Sequence, residues 1–269
     1  MSKQLHNELR QNIDKQLVAR CFAHSRNTYE QEASVQRQVA EKIMHLLETA
    51  LAECTIAARP QRLVEIGCGT GNLSRLLQAK LCPESLLLND LCPEMSECLE
   101  DLCCYPHVRF LAQDAENLDF PPQTQLIASC STVQWFNHPK AFLEHCYKSL
   151  TQDGWLAFST FGPQNMYQIK KLTGHGLSYL TLKQWEDLLS PTFDIVHAEE
   201  EIAELCFDTP VEVLKHLKQT GVTGTEKRIW TRGILQSFCQ QYTQQFSQEN
   251  QQVFLTYHPI YLIAKKKPL

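Results

Sequence analysis

The chain has 269 residues, 43% of them hydrophobic and 20% charged, with a formal net charge of −5. That composition suits a globular protein with one good core, or one core carrying an inserted subdomain. The acidic balance argues against a protein that coats nucleic acid, and leaves room only for a local basic patch.

Met1 to Gln16 is polar, of mixed charge and without an apolar signal segment, and no run elsewhere is long enough to span a membrane. A soluble, cytoplasmic protein is expected. Twelve cysteines are spread along the chain without a zinc-type C-x-x-C pair, so no metal is expected. Cys130 and Cys146 fall in apolar patterns, where a thiol packs as a small hydrophobe, and the set reads as reduced thiols.

Residues 5–58 read as helices. Val35, Val39, Ile43, Leu46 and Leu47 recur at helical spacing and should lie on the core. Leu63-Val64 and Ile66 then run into Gly67, Gly69 and Gly71, and Leu73, Leu76 and Leu77 continue with helical periodicity. Strand, tight glycine turn and helix open a doubly wound α/β domain. A dinucleotide fingerprint wants its third glycine three places after the second, but Asn72 stands there. The pattern Glu65-x-Gly67-x-Gly69-x-Gly71 instead resembles motif I of the class I S-adenosylmethionine-dependent methyltransferases, whose glycine turn lies against the cofactor's methionine and ribose.

Ser85 to Asp90 is the second strand, a continuous apolar run that suits a parallel strand buried on both faces. Its terminal Asp90 lies about twenty residues past the glycines, where a carboxylate accepts from both hydroxyls of a ribose. A helix from Pro93 to Leu102 follows, with Met95 a candidate adenine contact or a core residue. His107 to Asp114 is the third strand, and Asp114 ranks above Glu116 as acceptor for the adenine amine. Gln125 to Ser131 is the fourth, and Ser131 to Phe136 should face the reactive methyl, since ligands sit outside the carboxyl ends of such strands. A helix from about Pro139 to Leu150, a turn at Asp153-Gly154 and strand five, Trp155 to Phe161, come next.

From 162 the alternation breaks. A short helix over about 164–172, a loop around Gly174-His175-Gly176 and a helix with a capping box at Thr181 and Gln184 form an insertion placed to cover an active site. Phe193 to Cys206 has β character. Thr209-Pro210-Val211-Glu212 marks a secure helix start. Helix returns from Ile229 to about Phe246, and Val253 to Lys265 reads as one long terminal strand. Residues 1–58 are thus expected to form an N-terminal helical cap, 59–161 and 191–269 the core with a basic helical segment at 210–246, and 162–190 a lid-like insertion.

Segments beyond the glycine turn carry a narrower resemblance. Tyr29 to Ala33, Val35 to Ala40, Ser131 to Phe136, Phe158 to Asn165, Leu172 to Tyr179, Leu217 to Val222 and Leu255 to Ile260 resemble the malonyl-acyl-carrier-protein O-methyltransferases of biotin synthesis. The resemblance implies a Rossmann-like fold with a seven-stranded, mostly parallel sheet. It also implies methyl transfer from S-adenosyl-L-methionine to the free carboxylate of malonyl-acyl carrier protein, so that chain extension towards pimeloyl proceeds with the charge masked. Cofactor contacts are expected from Glu65, Gly67, Cys68, Gly69, Gly71, Asp90, Leu91, Met95, Asp114, Ala115 and Ser131.

A malonyl carboxylate is already ionised at pH 7, so no catalytic acid or base is expected, only positioning and water removal. Tyr29, Arg26, Gln134, Trp135, Asn165 and Tyr179 are candidates to position it, with His24, His138 and Lys140 also near the expected mouth. An acidic carrier protein calls for a basic dock, and Lys215, Lys218, Lys227, Arg228 and Arg232 provide five basic residues against Glu226. Rival readings are a methyltransferase for another small acid or a quinone, and a non-catalytic interaction protein on the same fold.

Overall fold

The computed structural model describes residues 12–54, 60–222, 230–249 and 251–268. Two helices come first, α1 (Lys15–Glu32) and α2 (Ser34–Glu53), separated by Ala33. Asp14 caps α1 by accepting from the Leu17 amide. The core follows with β1 (Arg62–Ile66), α3 (Asn72–Leu81), β2 (Ser85–Asp90), a 3-10 segment Pro93–Leu99 leading into α4 (Glu100–Cys103), β3 (Val108–Ala112), β4 (Thr124–Ser129), α5 (Pro139–Ser149) and β5 (Leu150–Phe161). The insertion holds α6 (Tyr167–Thr173) and α7 (Leu182–Leu189). The chain ends with β6 (Phe193–Glu200), β7 (Ala203–Phe207), α8 (Pro210–Gln219), α9 (Arg232–Phe246), β8 (Val253–Tyr257) and β9 (Pro259–Lys266).

Seven strands form one sheet in the order β3-β2-β1-β4-β5-β9-β6. Neighbours from β3 to β5 pair in parallel, and β9 runs antiparallel between β5 and β6. This is the Rossmann-like class I methyltransferase architecture. Alternation sorts the strand side chains onto two faces. Leu63, Leu126, Ala128, Trp155 and Ala157 join a core with α2 and α3, whereas Val64, Ile127, Leu156 and Phe158 join one with α5 and α7.

Four expectations need correction. The segment expected as one terminal strand is two. β8 pairs with β7 in a separate two-stranded sheet, and β9 enters the main sheet. The break falls at His258-Pro259, where Gly162 donates its amide to the His258 carbonyl at 2.7 Å and the His258 amide donates to Asn165 Oδ1 at 3.3 Å. Those bonds divert the chain from one sheet to the other, and proline has no amide to continue the ladder. The β region after 193 likewise splits into β6 and β7. Strand five begins at Leu150 rather than Trp155, because Asp153 adopts φ 64° and the register slips between Thr124 and Leu126, a bulge and not a turn. The helix expected over 93–102 is mostly 3-10.

Both expected capping boxes form, at Thr181/Gln184 on α7 and at Thr209/Glu212 on α8. No helix among the described residues is long and apolar enough to cross a membrane. Because Thr209 satisfies an amide at the start of α8, Thr209→Ala should lower stability by about 1 kcal/mol, read as a shift of the urea midpoint at unchanged m-value.

Candidate active site

The order of the sheet reverses between β1 and β4, and a cavity partly open to solvent lies beyond the carboxyl ends of β1, β2, β3 and β4. Its floor is the glycine turn. Gly67, Gly69 and Gly71 all hold positive φ. A Cβ on Gly67 would collide with the Thr132 side chain at 2.1 Å, so Thr132 is locked against the turn. A Cβ on Gly69 would have no atom within 4 Å, and Gly69 lines the cavity. The backbone there is left bare for a ligand.

Asp90 holds the turn in place. Its Oδ2 accepts from the Gly69 amide at 2.9 Å and its Oδ1 from the Cys92 amide at 2.8 Å. A carboxylate offers about four acceptor sites, so these amides leave room for a further donor. Burial raises the Asp90 pKa from its ordinary value, opposed by the amides of Cys92, Gly69 and Leu91. Thr70 lines the same wall with its buried Oγ1 lacking a hydrogen-bond partner. Leu91, Met95 and Ala115 supply an apolar side, and Ser131, held at φ 53° with its amide donating to Ser159, closes the β4 side.

The roof is one face of α1. Lys15, Val18, Ala19, Phe22, Arg26 and Tyr29 all line the cavity and recur at helical spacing. Phe22 meets Trp135 edge-on at 5.8 Å and Tyr29 at 6.5 Å, forming an aromatic wall. Burial, reinforced by Cys130 and Asp90, raises the Tyr29 phenol well above its usual range, so it stays a hydrogen-bond donor. Arg26 donates to the Ala23 carbonyl and pairs with Glu97 at 3.1 Å. Lys15 reaches across the mouth to Asp114 Oδ1 at 2.5 Å and to Glu116.

The remaining expected residues separate into three groups. Glu65, Cys68 and Gly71 do not line this cavity. Glu65 shares a strand face with Leu63 and points beneath the turn, beside Ser74 and Arg75, where it is 1% exposed with Oε2 unpartnered. Cys68 is buried, and Gly71 caps α3. Asp114 lines the cavity, but both its oxygens engage Lys15, so an adenine amine would share or displace that ammonium. Glu116 accepts from the amides of Asn137 and His138 and serves the chain itself.

Gln134, Asn165 and Tyr179 line a second, larger cavity, whose wall includes Trp135 and so adjoins the first. Gln134 donates to the Ser131 carbonyl at 2.6 Å, and Asn165 donates to the Tyr179 hydroxyl at 2.9 Å. Lys170, Lys215 and Lys218 stand exposed on its rim, with Leu17 and Cys21 of α1 and Met166, Ile169 and Leu214 in its apolar lining. Arg232 is exposed at the start of α9, while Lys227 and Arg228 lie outside the described residues.

Sequence reasoning missed Lys15, Phe22, Thr132 and Asn89. The stripe from Lys15 to Tyr29 was readable as a helical face. Asn89, which donates to the Leu111 and Gln113 carbonyls and so fixes the exit of β3, carries no local signal.

A bare glycine turn, a buried carboxylate beside it and an aromatic roof, all at the switch point of the sheet, are features of a methyltransferase of the Rossmann-like class. A family model described as a methyltransferase domain matches residues 64–158. The YcgJ protein of Bacillus subtilis shares the fold, with a TM-score of 0.60 and 14% identity over 85% of this chain and 100% of that one. The malonyl-[acyl-carrier protein] O-methyltransferase of Bacteroides helcogenes is 56% identical over 95% of this chain and 100% of its own length. Its counterpart in Bacteroides thetaiotaomicron is 48% identical over 95% and 99%. The chain belongs to the malonyl-[acyl-carrier protein] O-methyltransferase family.

Burial raises Glu65 to about 8, with Ser74 and Arg75 opposing and Asp90 adding. A carboxyl raised on folding destabilises as pH climbs from its unfolded value, near 4.5, and the penalty is complete above the folded one. Glu65→Gln should therefore leave stability almost unchanged at pH 4 and raise it by a few kcal/mol, about 1.4 per pKa unit, by pH 9. Urea titrations at the two pH values check this, and an equal gain at both would contradict it.

Proposed function

We propose that this enzyme transfers a methyl group from S-adenosyl-L-methionine to the free carboxylate of malonyl-acyl carrier protein, forming the methyl ester from which the pimeloyl part of biotin is built. The observation that carries the reading is the junction at Trp135 of the switch-point cavity with an apolar, lysine-rimmed one, in a chain so similar to the named relatives.

S-adenosylmethionine supplies an electrophilic methyl on a positively charged sulfur. Asp90 would hold the ribose hydroxyls on its remaining lone pairs, and the bare backbone at Gly67 and Gly69 would lie against the nucleoside. Leu91, Met95 and Ala115 would sandwich the base, with Asp114 at its edge and Ser131 towards the methionine portion. Tyr29, Phe22 and Trp135 offer ring faces and edges suited to a sulfonium. Glu65, Cys68 and Gly71 act from beneath, by shaping the turn.

The acceptor carboxylate needs alignment rather than deprotonation. Gln134, Asn165 and Tyr179 present polar groups on the second cavity beside Trp135, and the Tyr179 hydroxyl, already accepting from Asn165, keeps its own proton to donate. Arg26 is held by Glu97 on the other side of α1 from that cavity's lining, which favours Tyr179 as the nearer grip.

Lys215 and Lys218 on α8 and Lys170 on α6 would meet an acidic carrier at the mouth, with Arg232 extending the surface. Two outcomes are expected. Asp90→Ala should weaken S-adenosylmethionine binding by tenfold or more in calorimetry, because charged hydrogen bonds contribute roughly 1.5–3 kcal/mol each. Reversing Lys215 and Lys218 to Glu should raise KM about tenfold for carrier-bound malonate while barely changing a small malonyl thioester, and the gap should shrink in high salt. Equal losses on both substrates would remove the docking role.

A further inference from the structure

Gln36 is a buried polar residue that neither the glycine turn nor the carboxylate grip uses. It sits in the first turn of α2, is 5% exposed and lines the second cavity. Its Oε1 has no hydrogen-bond partner. A buried amide oxygen left unpaired costs about 1–3 kcal/mol, so its persistence in a cavity wall asks for a partner from outside the chain.

The Gln36 side chain lies near the Tyr257 hydroxyl. Tyr257 also meets His216 Nε2 at 2.7 Å. Burial lowers the His216 pKa, keeping the ring neutral, and its Nδ1 faces Glu32 Oε2 at 4.0 Å. Glu32 in turn accepts from Gln219 at 3.2 Å. With the ring proton on Nδ1 towards the carboxylate, Nε2 accepts the phenol proton. The hydroxyl beside Gln36 is thus committed to His216, and the Gln36 oxygen stands as a buried acceptor without a partner in the chain.

We propose that Gln36 Oε1 accepts a hydrogen bond from a secondary amide N–H in the arm that carries the malonyl thioester, as that arm lies in the second cavity. The assignment rests on the malonyl-thioester reading of the site. Its occupant is a flexible chain of apolar segments broken by amides, which matches an apolar lining with one unpaired acceptor. Lysines at the rim receive the carrier outside, Gln36 reads the arm within, and Trp135 marks the passage to the methyl donor. Gln36 is then a positioning residue that separates pantetheine thioesters from simple ones.

The decisive comparison uses the wild-type enzyme at saturating S-adenosylmethionine. Malonyl-pantetheine is set against analogues in which each amide N–H in turn is replaced by an ester oxygen, and against malonyl S-propyl thioester. One ester analogue should show a KM about tenfold higher with kcat little changed. Gln36→Met, which keeps length and packing, should raise KM about tenfold for malonyl-pantetheine and leave that ester analogue and the S-propyl thioester unaffected. Wild-type indifference to both ester replacements overturns the proposal. So does an equal loss on all substrates in Gln36→Met, the pattern expected if the oxygen faces only water or serves packing. A wild-type enzyme that methylates none of these thioesters would instead overturn the reading beneath it.

Discussion

Everything at the active site depends on one hydrogen bond between the ends of two adjacent strands. The Gly69 amide donates to Asp90 Oδ2 at 2.9 Å, tying the turn after β1 to the last residue of β2. Parallel pairing already brings these strand ends together, with Ile66 opposite Asn89. The bond adds orientation, aiming a bare backbone and a carboxylate at the same space. The carboxyl is buried in the process, and the amides of Gly69, Cys92 and Leu91 offset part of that penalty. The Asp90 carboxylate is thereby held in one geometry by the chain itself.

Around that bond the chain is arranged so that one helix serves two cavities. α1 roofs the first with the stripe from Lys15 to Tyr29 and borders the second through Leu17 and Cys21. It is anchored at both ends. Lys15 pairs with Asp114 and Glu116, Ile13 and Asn137 exchange hydrogen bonds, and Thr28 donates to the Gln219 carbonyl on α8. The helix that roofs the first cavity is therefore in contact with the helix that carries Lys215 and Lys218.

The fold also leaves two buried polar groups without partners in the cavity walls. The Thr70 hydroxyl and the Gln36 carbonyl are buried and unpartnered, and both line cavities. Glu65 differs. It is buried beneath the turn and faces no cavity, so its raised pKa reports a supporting position under strain of desolvation. Residues near the ligand space are thus divided between those that await a partner and those that shape the wall.

The sequence alone determined what depends on neighbours in the chain. The glycine spacing specified the turn, the apolar runs specified buried parallel strands, and Thr181/Gln184 and Thr209/Glu212 specified helix starts, because each is a contact within four residues. Asp90 was legible because its distance from the glycines is set by one helix and one strand. Tertiary structure alone decided what depends on distant pairing. It split the terminal β run at His258, where bonds to Gly162 and Asn165 redirect it, and drew strand five back to Leu150. It sent Gln134, Asn165 and Tyr179 to a second cavity and turned Glu65 under the floor. It also left Gln36 with a buried, unpartnered oxygen in the wall of the second cavity. No local pattern encodes such bonds, because their partners meet only once the sheet has closed and the helices have packed on it.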